Sequence, residues 1–381
     1  MSRFEREENP DSTSLADLHE RGTRLALRSN AVLYPSRKGA LEKWVTPSAR
    51  EEQAFRKEMD VMKRFLRERA AYSPIVHRKP MKLPGGARLG FWFIINVEKW
   101  DITSTMARTV LPAPQGVTVT PDIPNYSWFE YGLRVGFWRI KEMLDKYGIR
   151  ATVSMNAPVC RAYPAIVDEC LSSGWEILAH GYDQRAINLE KDEREVIRKT
   201  IATIRDFTGK SPRGWMGPGL HETFHTPDIL AEEGIEYVAD WVNDDQPYPL
   251  QVKSGRLIAV PYTVELNDIA IYLVQHHRSP EIYERARDAF ETLYREGEKS
   301  ARFMTVSVHP YVAGAAHRIK YIDKILAFIK KHDKVLCMTG EEILDWYTET
   351  VSETTGIAEF KKAKGAVKRR AVSKGMKRPK G

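Results

Sequence analysis

The sequence predicts an α/β protein, built as an irregular (β/α) barrel of about seven parallel strands. A short continuous apolar run at 90–97 (GFWFIINV), rich in aromatic and β-branched side chains, is typical of a strand buried in a parallel sheet. Strand-like and helix-like segments then alternate, which indicates a parallel sheet with helices packed outside it. Four of the helical segments are followed by a glycine that can end them: Gly148, Gly174, Gly209 and Gly234.

The remaining elements and the domain boundaries follow from the same pattern. Further strands are predicted at 151–155, 175–179, 213–215, 235–239, 303–308 and 335–338. Helices are predicted at 130–147, 163–173, 192–208, 228–233, 280–296, 317–332 and 341–348. We expect an N-terminal arm at 1–77 with one helix at 50–71, the barrel at 78–350, and a basic tail at 351–381.

The net charge of +8 belongs to this tail and not to a binding face. Residues 361–381 contain ten Lys or Arg and no acid, whereas the rest of the chain has 49 basic and 51 acidic residues. A low-complexity basic tail is expected to be disordered. It supports only nonspecific contact with nucleic acid, so a nucleic-acid binder is a minor alternative.

Cysteine usage and hydropathy predict a cytoplasmic protein without a membrane partner. Three cysteines, an odd number in a long chain, form no disulfide framework and indicate a reducing compartment. The first residues carry acids where a secretory signal needs an apolar core. The densest apolar run, at 89–97, is too short to span a bilayer.

Polar side chains gather where the predicted strands end. In a (β/α) barrel the reactive residues lie at the carboxyl ends of the strands. We therefore predict Glu98, His180, Asp240 and His309 as catalytic residues, because five polar strand ends are not expected to converge by chance. The predicted substrate-binding residues are Asn96, Trp215, Gly217, His221, Asp244, Asp245 and Tyr311.

These strand ends resemble the motifs of the polysaccharide deacetylase superfamily, also called the NodB-homology fold. The matching segments are 96–98 (NVE), 179–181 (AHG), 214–218 (GWMGP), 240–248 (DWVNDDQPY) and 309–310 (HP). The resemblance covers roughly residues 78–347 and is greatest to the subgroup with metal-independent allantoinases and cyclic imide hydrolases. It implies an irregular barrel that hydrolyses a carbon–nitrogen bond other than a peptide bond.

The sequence departs from the metal site of this superfamily. Metal-dependent members carry two aspartates in the first motif and a His-x-x-x-His pair in the second. Here those positions hold Asn96 with Glu98, and His180 with Gln184. Zinc usually takes about three protein ligands beside an open position, and a glutamine amide is a poor ligand. Glu98 and His180 therefore either bind one divalent metal such as zinc, or activate water without a metal.

Residues 221–225 (HETFH) match the zinc-protease pattern H-E-x-x-H. That pattern binds zinc only within a helix, where both histidines share one face. Here Gly217-Pro218-Gly219 precedes it, and Thr226-Pro227 is typical of the start of a new helix. We therefore expect a loop that lines the pocket.

The leading functional interpretation is a hydrolase of a small amide, cyclic imide or ureide. Glu98 activates water, and His309 or His180 donates a proton to the leaving nitrogen. One alternative is a metal-dependent N-deacetylase of an acetylated sugar. Another alternative is a non-catalytic relative that binds a ligand, and this alternative rests on Asn96 and Gln184, which stand where metal ligands are expected. The expected partner is a small-molecule substrate, and a homo-oligomer is left open.

Overall fold

A computed structural model describes residues 69–355, and those from Ala70 onward form one compact unit. The basic tail and nearly all of the arm helix predicted at 50–71 lie outside the described residues. Within the described part, nine strands make one sheet. They are β1 (Leu89–Val97), β2 (Thr152–Met155), β3 (Glu176–Ala179), β4 (Gly214–Trp215), β5 (Tyr237–Val238), β6 (Tyr248–Leu250), β7 (Leu257–Ala259), β8 (Arg302–Val308) and β9 (Val335–Cys337).

The sheet has the order β6-β7-β5-β4-β3-β2-β1-β8, with β9 paired to the start of β1. Every pairing is parallel except that of β6 with β7. The predicted α/β class and parallel sheet are therefore confirmed, and the β6–β7 hairpin is an addition that the sequence analysis missed.

Helices surround this sheet and follow the strands along the chain. They are α1 (Ile123–Tyr131), α2 (Phe137–Tyr147), α3 (Val159–Ala162), α4 (Pro164–Ser172), α5 (Glu193–Thr208), α6 (Thr226–Glu232), α7 (Glu281–Glu296), α8 (Pro310–Ala313), α9 (Ile319–Ile329) and α10 (Gly340–Thr355). A π-helical turn at Gly132–Gly136 joins α1 to α2, so the predicted helix at 130–147 is longer than expected. Within residues 69–355, no helix has the length and apolar character needed to cross a membrane.

The sheet curls so that its two end regions approach each other at β8. The segment after β7 runs beside β8, where Asn267 forms a parallel bridge with Ser307. The hydroxyl of Thr305 donates to the carbonyl of Pro261 at 2.6 Å. These contacts close an irregular barrel, in which the carboxyl ends of the strands meet at one mouth.

Side chains on the two faces of the sheet form two cores. Along β1, Phe91 and Phe93 pack between the sheet and the helices, whereas Trp92 and Ile94 fill the inside of the barrel. This alternation follows from the period of two in a strand. The last helix, α10, adds Ile343, Leu344, Trp346 and Tyr347 to the inner core.

A buried carboxyl group lies inside the barrel beneath this core. Glu176 accepts hydrogen bonds from the hydroxyls of Thr152 at 2.6 Å and Tyr237 at 2.5 Å. Burial and the charge of Glu341 raise the pKa of Glu176 to about 7. Thr152 also accepts the backbone N–H of Gly340 at 3.1 Å, so this group links the sheet to the start of α10.

Candidate active site

Three of the four predicted catalytic side chains meet at the mouth of the barrel. Glu98 follows β1, His180 follows β3 and His309 follows β8, and all three are buried. Glu98 Oε1 lies 3.4 Å from His309 Nε2 and 3.9 Å from His180 Nε2. The carboxylate is therefore flanked by two imidazoles that come from different strands.

His309 is held by the carboxylate of Asp268, which lies in the segment between β7 and β8. Its ring Nδ1 lies 2.7 Å from Asp268 Oδ1, and its backbone N–H donates to Asp268 Oδ2 at 2.8 Å. Burial alone would lower the pKa of His309, but the charges of Asp268 and Glu98 outweigh it and raise the pKa to about 9. At neutral pH His309 is therefore a protonated imidazolium.

His180 is oriented by a backbone carbonyl. Its Nδ1 lies 2.6 Å from the oxygen of Met216. Because a carbonyl can only accept, Nδ1 carries the hydrogen and Nε2 is left to face Glu98. Gly181 follows with a positive φ of 71°, a conformation that glycine adopts without strain.

The charge of Glu98 is fixed by these neighbours. Burial alone would raise its pKa, but the charge of His309, together with the smaller effect of His180, outweighs burial and lowers the pKa to about 2. Glu98 Oε1 also accepts the amide N–H of Gln184 at 2.7 Å. Glu98 Oε2 is buried and accepts no hydrogen bond from any described residue.

The orientation of Gln184 follows from a chain of amides. Asn156 Oδ1 accepts the backbone N–H of Lys99 at 3.0 Å, so Asn156 turns its Nδ2 toward the carbonyl of His180 and the side-chain oxygen of Gln184. Gln184 must then present its N–H to Glu98. An N–H group is not a metal ligand, so the residues present do not fit the metal site that the superfamily motifs imply. In residues 69–355, no group of three His, Cys, Asp or Glu side chains is placed to bind a metal.

The fourth predicted catalytic residue, Asp240, is buried but does not contact Glu98. Its Oδ1 accepts the backbone N–H of Gly217 at 2.8 Å. Burial and the neighbouring charge of Glu222 raise the pKa of Asp240 well above its usual range. Glu222 is itself held by the indole N–H of Trp241, at 3.2 Å from each oxygen.

Several of the predicted substrate-binding residues have contacts within the protein. Asn96 uses its side-chain N–H₂ inside the barrel, where it donates to Ser307 Oγ at 2.8 Å and to the carbonyl of Val308. Trp215 is fully buried in the core between sheet and helices, and its indole N–H has no partner in the described part of the chain. A Cβ at Gly217 would lie 2.7 Å from the His221 carbonyl, which explains the glycine.

Asp244 and Asp245 do not join the cluster around Glu98. Asp244 forms an ion pair with Arg78, and the carbonyl of Asp245 accepts the backbone N–H of Phe303. Phe303 is at the start of β8, about 20 Å of strand away from His309. Both aspartates line a cavity of about 890 Å³ whose walls include none of Glu98, His180 and His309.

Tyr311 is the predicted substrate-binding residue that lies beside the cluster. Its ring centroid is 5.7 Å from that of His309, and it packs edge-on against Phe129 and Trp128 at 4.6 and 4.9 Å. Trp100 stacks on Phe129 at 4.5 Å. These aromatic rings form an apolar wall beside His309, which weakens solvent screening of the charges there.

The pattern at 221–225 lies outside any helix. A 3₁₀ turn at Pro218–Leu220 precedes exposed His221, and His225 comes immediately before α6. The two histidines therefore do not share a helical face, as the flanking prolines and glycines predicted.

Comparison with known proteins identifies relatives of this chain. Residues 119–238 match the family model described as polysaccharide deacetylase. A Schizosaccharomyces pombe protein named as a polysaccharide deacetylase is 31% identical over 290 residues, which are 68% of this chain and 90% of that protein. The Helicobacter pylori peptidoglycan deacetylase is 25% identical over 246 residues, 55% of this chain and 83% of that protein.

Solved structures show the same fold. A Pseudomonas aeruginosa protein named as a polysaccharide deacetylase has a TM-score of 0.63 at 24% identity, over 74% of this chain and 97% of that one. The PuuE allantoinase has a TM-score of 0.62 at 24% identity, over 74% and 95% of the two chains. At this level of identity the likeness concerns the fold and not the substrate.

Proposed function

Because the chain belongs to the polysaccharide deacetylase family, we propose that it hydrolyses a carbon–nitrogen bond in a small amide, cyclic imide or ureide. Glu98 acts as the base, His180 positions the attacking water, and His309 is the acid. A cytoplasmic setting belongs to this proposal and is supported by three cysteines that form no disulfide.

The observation that carries the proposal is the unpartnered oxygen of Glu98. A buried carboxylate oxygen without a hydrogen-bond donor is costly unless a ligand or water satisfies it. His180 Nε2 lies 3.9 Å from the other oxygen of this carboxylate, a separation at which one water molecule can contact both side chains. Glu98 and His180 are therefore suited to bind and orient one water for attack.

In the proposed reaction, a proton passes from this water to Glu98 as the water oxygen bonds to the carbonyl carbon. The carbonyl π electrons move to oxygen and give a tetrahedral intermediate. When they return, the carbon–nitrogen bond breaks and the leaving nitrogen takes the Nε2 proton of His309. The products are a carboxylic acid and the released nitrogen group, which is an amine from an amide, an amide from a cyclic imide and a ureido group from a cyclic ureide. A proton transfer from Glu98 to His309, 3.4 Å apart, restores the resting charges.

The acid role of His309 is supported by its raised pKa. An amide nitrogen cannot leave as an anion, so a proton must be available at neutral pH. A pKa of about 9 keeps His309 protonated there, and Asp268 stabilises the charge before and after substrate binds. No step uses a metal, since Gln184 turns an N–H toward Glu98.

A second candidate is N-deacetylation of an acetylated sugar. It is favoured by the two relatives named as polysaccharide and peptidoglycan deacetylases. The same three residues would perform the chemistry on an acetamido group, so the two candidates differ in substrate and not in mechanism.

The test is turnover of allantoin, hydantoin, succinimide and N-acetylglucosamine oligomers by the wild type and by Glu98→Gln. The substitution keeps the shape of the side chain and removes the base, so kcat should fall by about 10²-fold or more while substrate binding persists. The matched control is Glu169→Gln, which removes a partly exposed carboxylate that pairs with Lys141.

Each outcome of this test has a consequence. Turnover of the cyclic substrates that survives dialysis against a chelator supports the leading proposal. Turnover of only the acetylated sugars selects the second candidate. A Glu98→Gln variant that keeps most of the wild-type kcat would reject the assigned base.

A further inference from the structure

One peptide group lies between His180 and Asp240. The carbonyl of Met216 is 2.6 Å from His180 Nδ1, and the N–H of the same peptide unit, on Gly217, donates to Asp240 Oδ1 at 2.8 Å. The buried carboxyl group and the imidazole are therefore joined by two hydrogen bonds through a single amide.

This arrangement has a physical consequence for the amide. A carboxyl oxygen that accepts the N–H of a peptide group polarises that peptide group and makes the peptide carbonyl oxygen more negative, and successive hydrogen bonds in such a chain strengthen each other. The Met216 carbonyl becomes a better acceptor for the Nδ1 hydrogen of His180. The tautomer that leaves Nε2 facing Glu98 is thereby favoured.

The two histidines beside Glu98 are thus oriented by related means. Asp268 contacts the ring of His309 directly at 2.7 Å, whereas Asp240 reaches His180 only through the peptide. The neighbours of the Asp240 carboxyl group are the backbone N–H of Gly217 and the side chain of Glu222, and neither of them is one of the three side chains around the proposed water. Asp240 Oδ2 is buried and has no hydrogen-bond partner among the described residues, so the experiment below must distinguish positioning of His180 from direct proton transfer by Asp240.

The other members of the chain are held in place. Glu222 lies beside Asp240 and accepts the indole N–H of Trp241 at 3.2 Å. A Cβ at residue 217 would lie 3.2 Å from Asp240 Oδ2 and 2.7 Å from the His221 carbonyl, so only glycine leaves the peptide free to reach Asp240.

We propose that Asp240 is a positioning residue that fixes the tautomer and orientation of His180 through the Met216–Gly217 peptide group. The effect on catalysis rests on the proposed function, because His180 must take part in the reaction. The effect on the imidazole does not, because it concerns the resting protein alone.

The experiment compares Asp240→Ala, Asp240→Asn and Asp228→Ala in the full-length protein. Asp228 is the matched control: it is buried and accepts a backbone N–H, that of Lys253 at 2.9 Å, but this contact leads to no histidine. The first measurement is the ¹⁵N NMR signature of the His180 ring, assigned by loss of the signal in His180→Asn. We expect a single tautomer with hydrogen on Nδ1 in the wild type and Asp228→Ala, and a mixture in Asp240→Ala.

The second measurement is kinetic. Removal of a hydrogen-bonding group behind a functional histidine typically costs about 10–100-fold, and we expect this loss in the kcat of Asp240→Ala with little change in KM. Asp240→Asn retains a side-chain oxygen that can accept the Gly217 N–H, so it should recover most of kcat. A merely structural role would lower the thermal midpoint of Asp240→Ala and Asp228→Ala alike without this kinetic difference.

Two results would overturn the proposal. One is a folded Asp240→Ala or Asp240→Asn protein in which the His180 tautomer and kcat both match the wild type. The other is an Asp240→Asn protein that folds but is as impaired in kcat as Glu98→Gln, which would indicate proton transfer by Asp240 itself. If instead the His180 tautomer changes in Asp240→Ala while Glu98→Gln keeps full activity, the proposed function fails and the positioning role of Asp240 stands.

Discussion

Replacing Asp268 with asparagine tests how the acid at the mouth of the barrel obtains its proton. The rise in the pKa of His309 from 6.5 to about 9 corresponds to about 3 kcal/mol in favour of the imidazolium. Both oxygens of Asp268 contact His309, at 2.7 and 2.8 Å, and Asp268 is fully buried. Asp268→Asn keeps a hydrogen-bond acceptor but removes the charge, so burial then opposes protonation with only Glu98 to offset it.

We expect the pKa of His309 to fall by roughly two units in Asp268→Asn. At pH 8, about nine-tenths of His309 is protonated in the wild type, and about one-tenth would be protonated in the variant. The value of kcat/KM at pH 8 should therefore fall about tenfold, and the alkaline limb of the pH–rate profile should move from about pH 9 to about pH 7.

The pKa shift of His309 also makes the stability of the protein depend on pH. The folded-state pKa of His309 is above its unfolded value, so its contribution is fully present below pH 6.5 and is lost as pH rises through about 9. The difference in unfolding free energy between wild type and Asp268→Asn should be largest near pH 6 and shrink by pH 10.

The assays are a ¹⁵N NMR titration of the His309 ring, kcat/KM from pH 6 to 10, and urea unfolding at pH 6 and 10. Glu265→Gln is the control, since it removes a carboxylate three residues away that is exposed and pairs with Arg285. An Asp268→Asn protein whose His309 titrates within half a unit of the wild type would refute the reasoning.

Two further predictions concern stability. The folded pKa of Glu176, about 7, is above its unfolded value of 4.5, so the contribution of this group to stability is lost as pH rises through 7. In urea unfolding, Glu176→Gln should therefore be more stable than the wild type by about 3 kcal/mol at pH 8.5, and the two proteins should have nearly equal stability at pH 5. A lower midpoint than the wild type at pH 8.5 would contradict this. A Cβ at Gly136 would lie 2.0 Å from the Pro310 carbonyl, so Gly136→Ala should destabilise the folded protein by on the order of 3 kcal/mol at every pH. An unchanged urea midpoint would contradict the close contact between Gly136 and Pro310.

The main features of the fold could be predicted because they depend on local sequence: the periodicity of apolar residues and the glycines that end helices. The strand predicted at 90–97 and the helix ended by Gly209 lie close to their predicted bounds, and the helix ended by Gly148 stops where that glycine predicted. The hairpin of β6 and β7 was missed because its strands have three residues each and β6 contains Pro249. Proline is tolerated there since β6 lies at the end of the sheet order.

The sequence predicted those residues of the candidate site whose position follows directly from the end of a strand. Glu98, His180 and His309 directly follow parallel strands whose carboxyl ends share one mouth, so their proximity follows from the topology. Asp244 and Asp245 also follow a strand, but the chain turns into the antiparallel β6 and carries them toward the start of β8. No local pattern shows where such a turn leads.

The partners of the two histidines depend on tertiary contacts that no spacing reveals. Asp268 reaches His309 because the segment after β7 joins β8 through one bridge at Asn267, too short to produce a strand pattern. Asp240 was placed at the correct end of β5, but its hydrogen bond is to the backbone of Gly217 and not to a member of the cluster around Glu98. An acidic residue after an apolar stretch was the only available signal for Asp268.

The chain of hydrogen bonds from Lys99 through Asn156 to Gln184 also restricts which side chains position 184 can accept. A histidine at 184 that offered a lone pair to a metal would turn its other ring nitrogen, which carries hydrogen, toward Asn156 Nδ2. Two donors would then face each other, and Asn156 cannot reverse because the N–H of Lys99 requires its oxygen. A metal-binding histidine at 184 would therefore require a replacement at 156 as well.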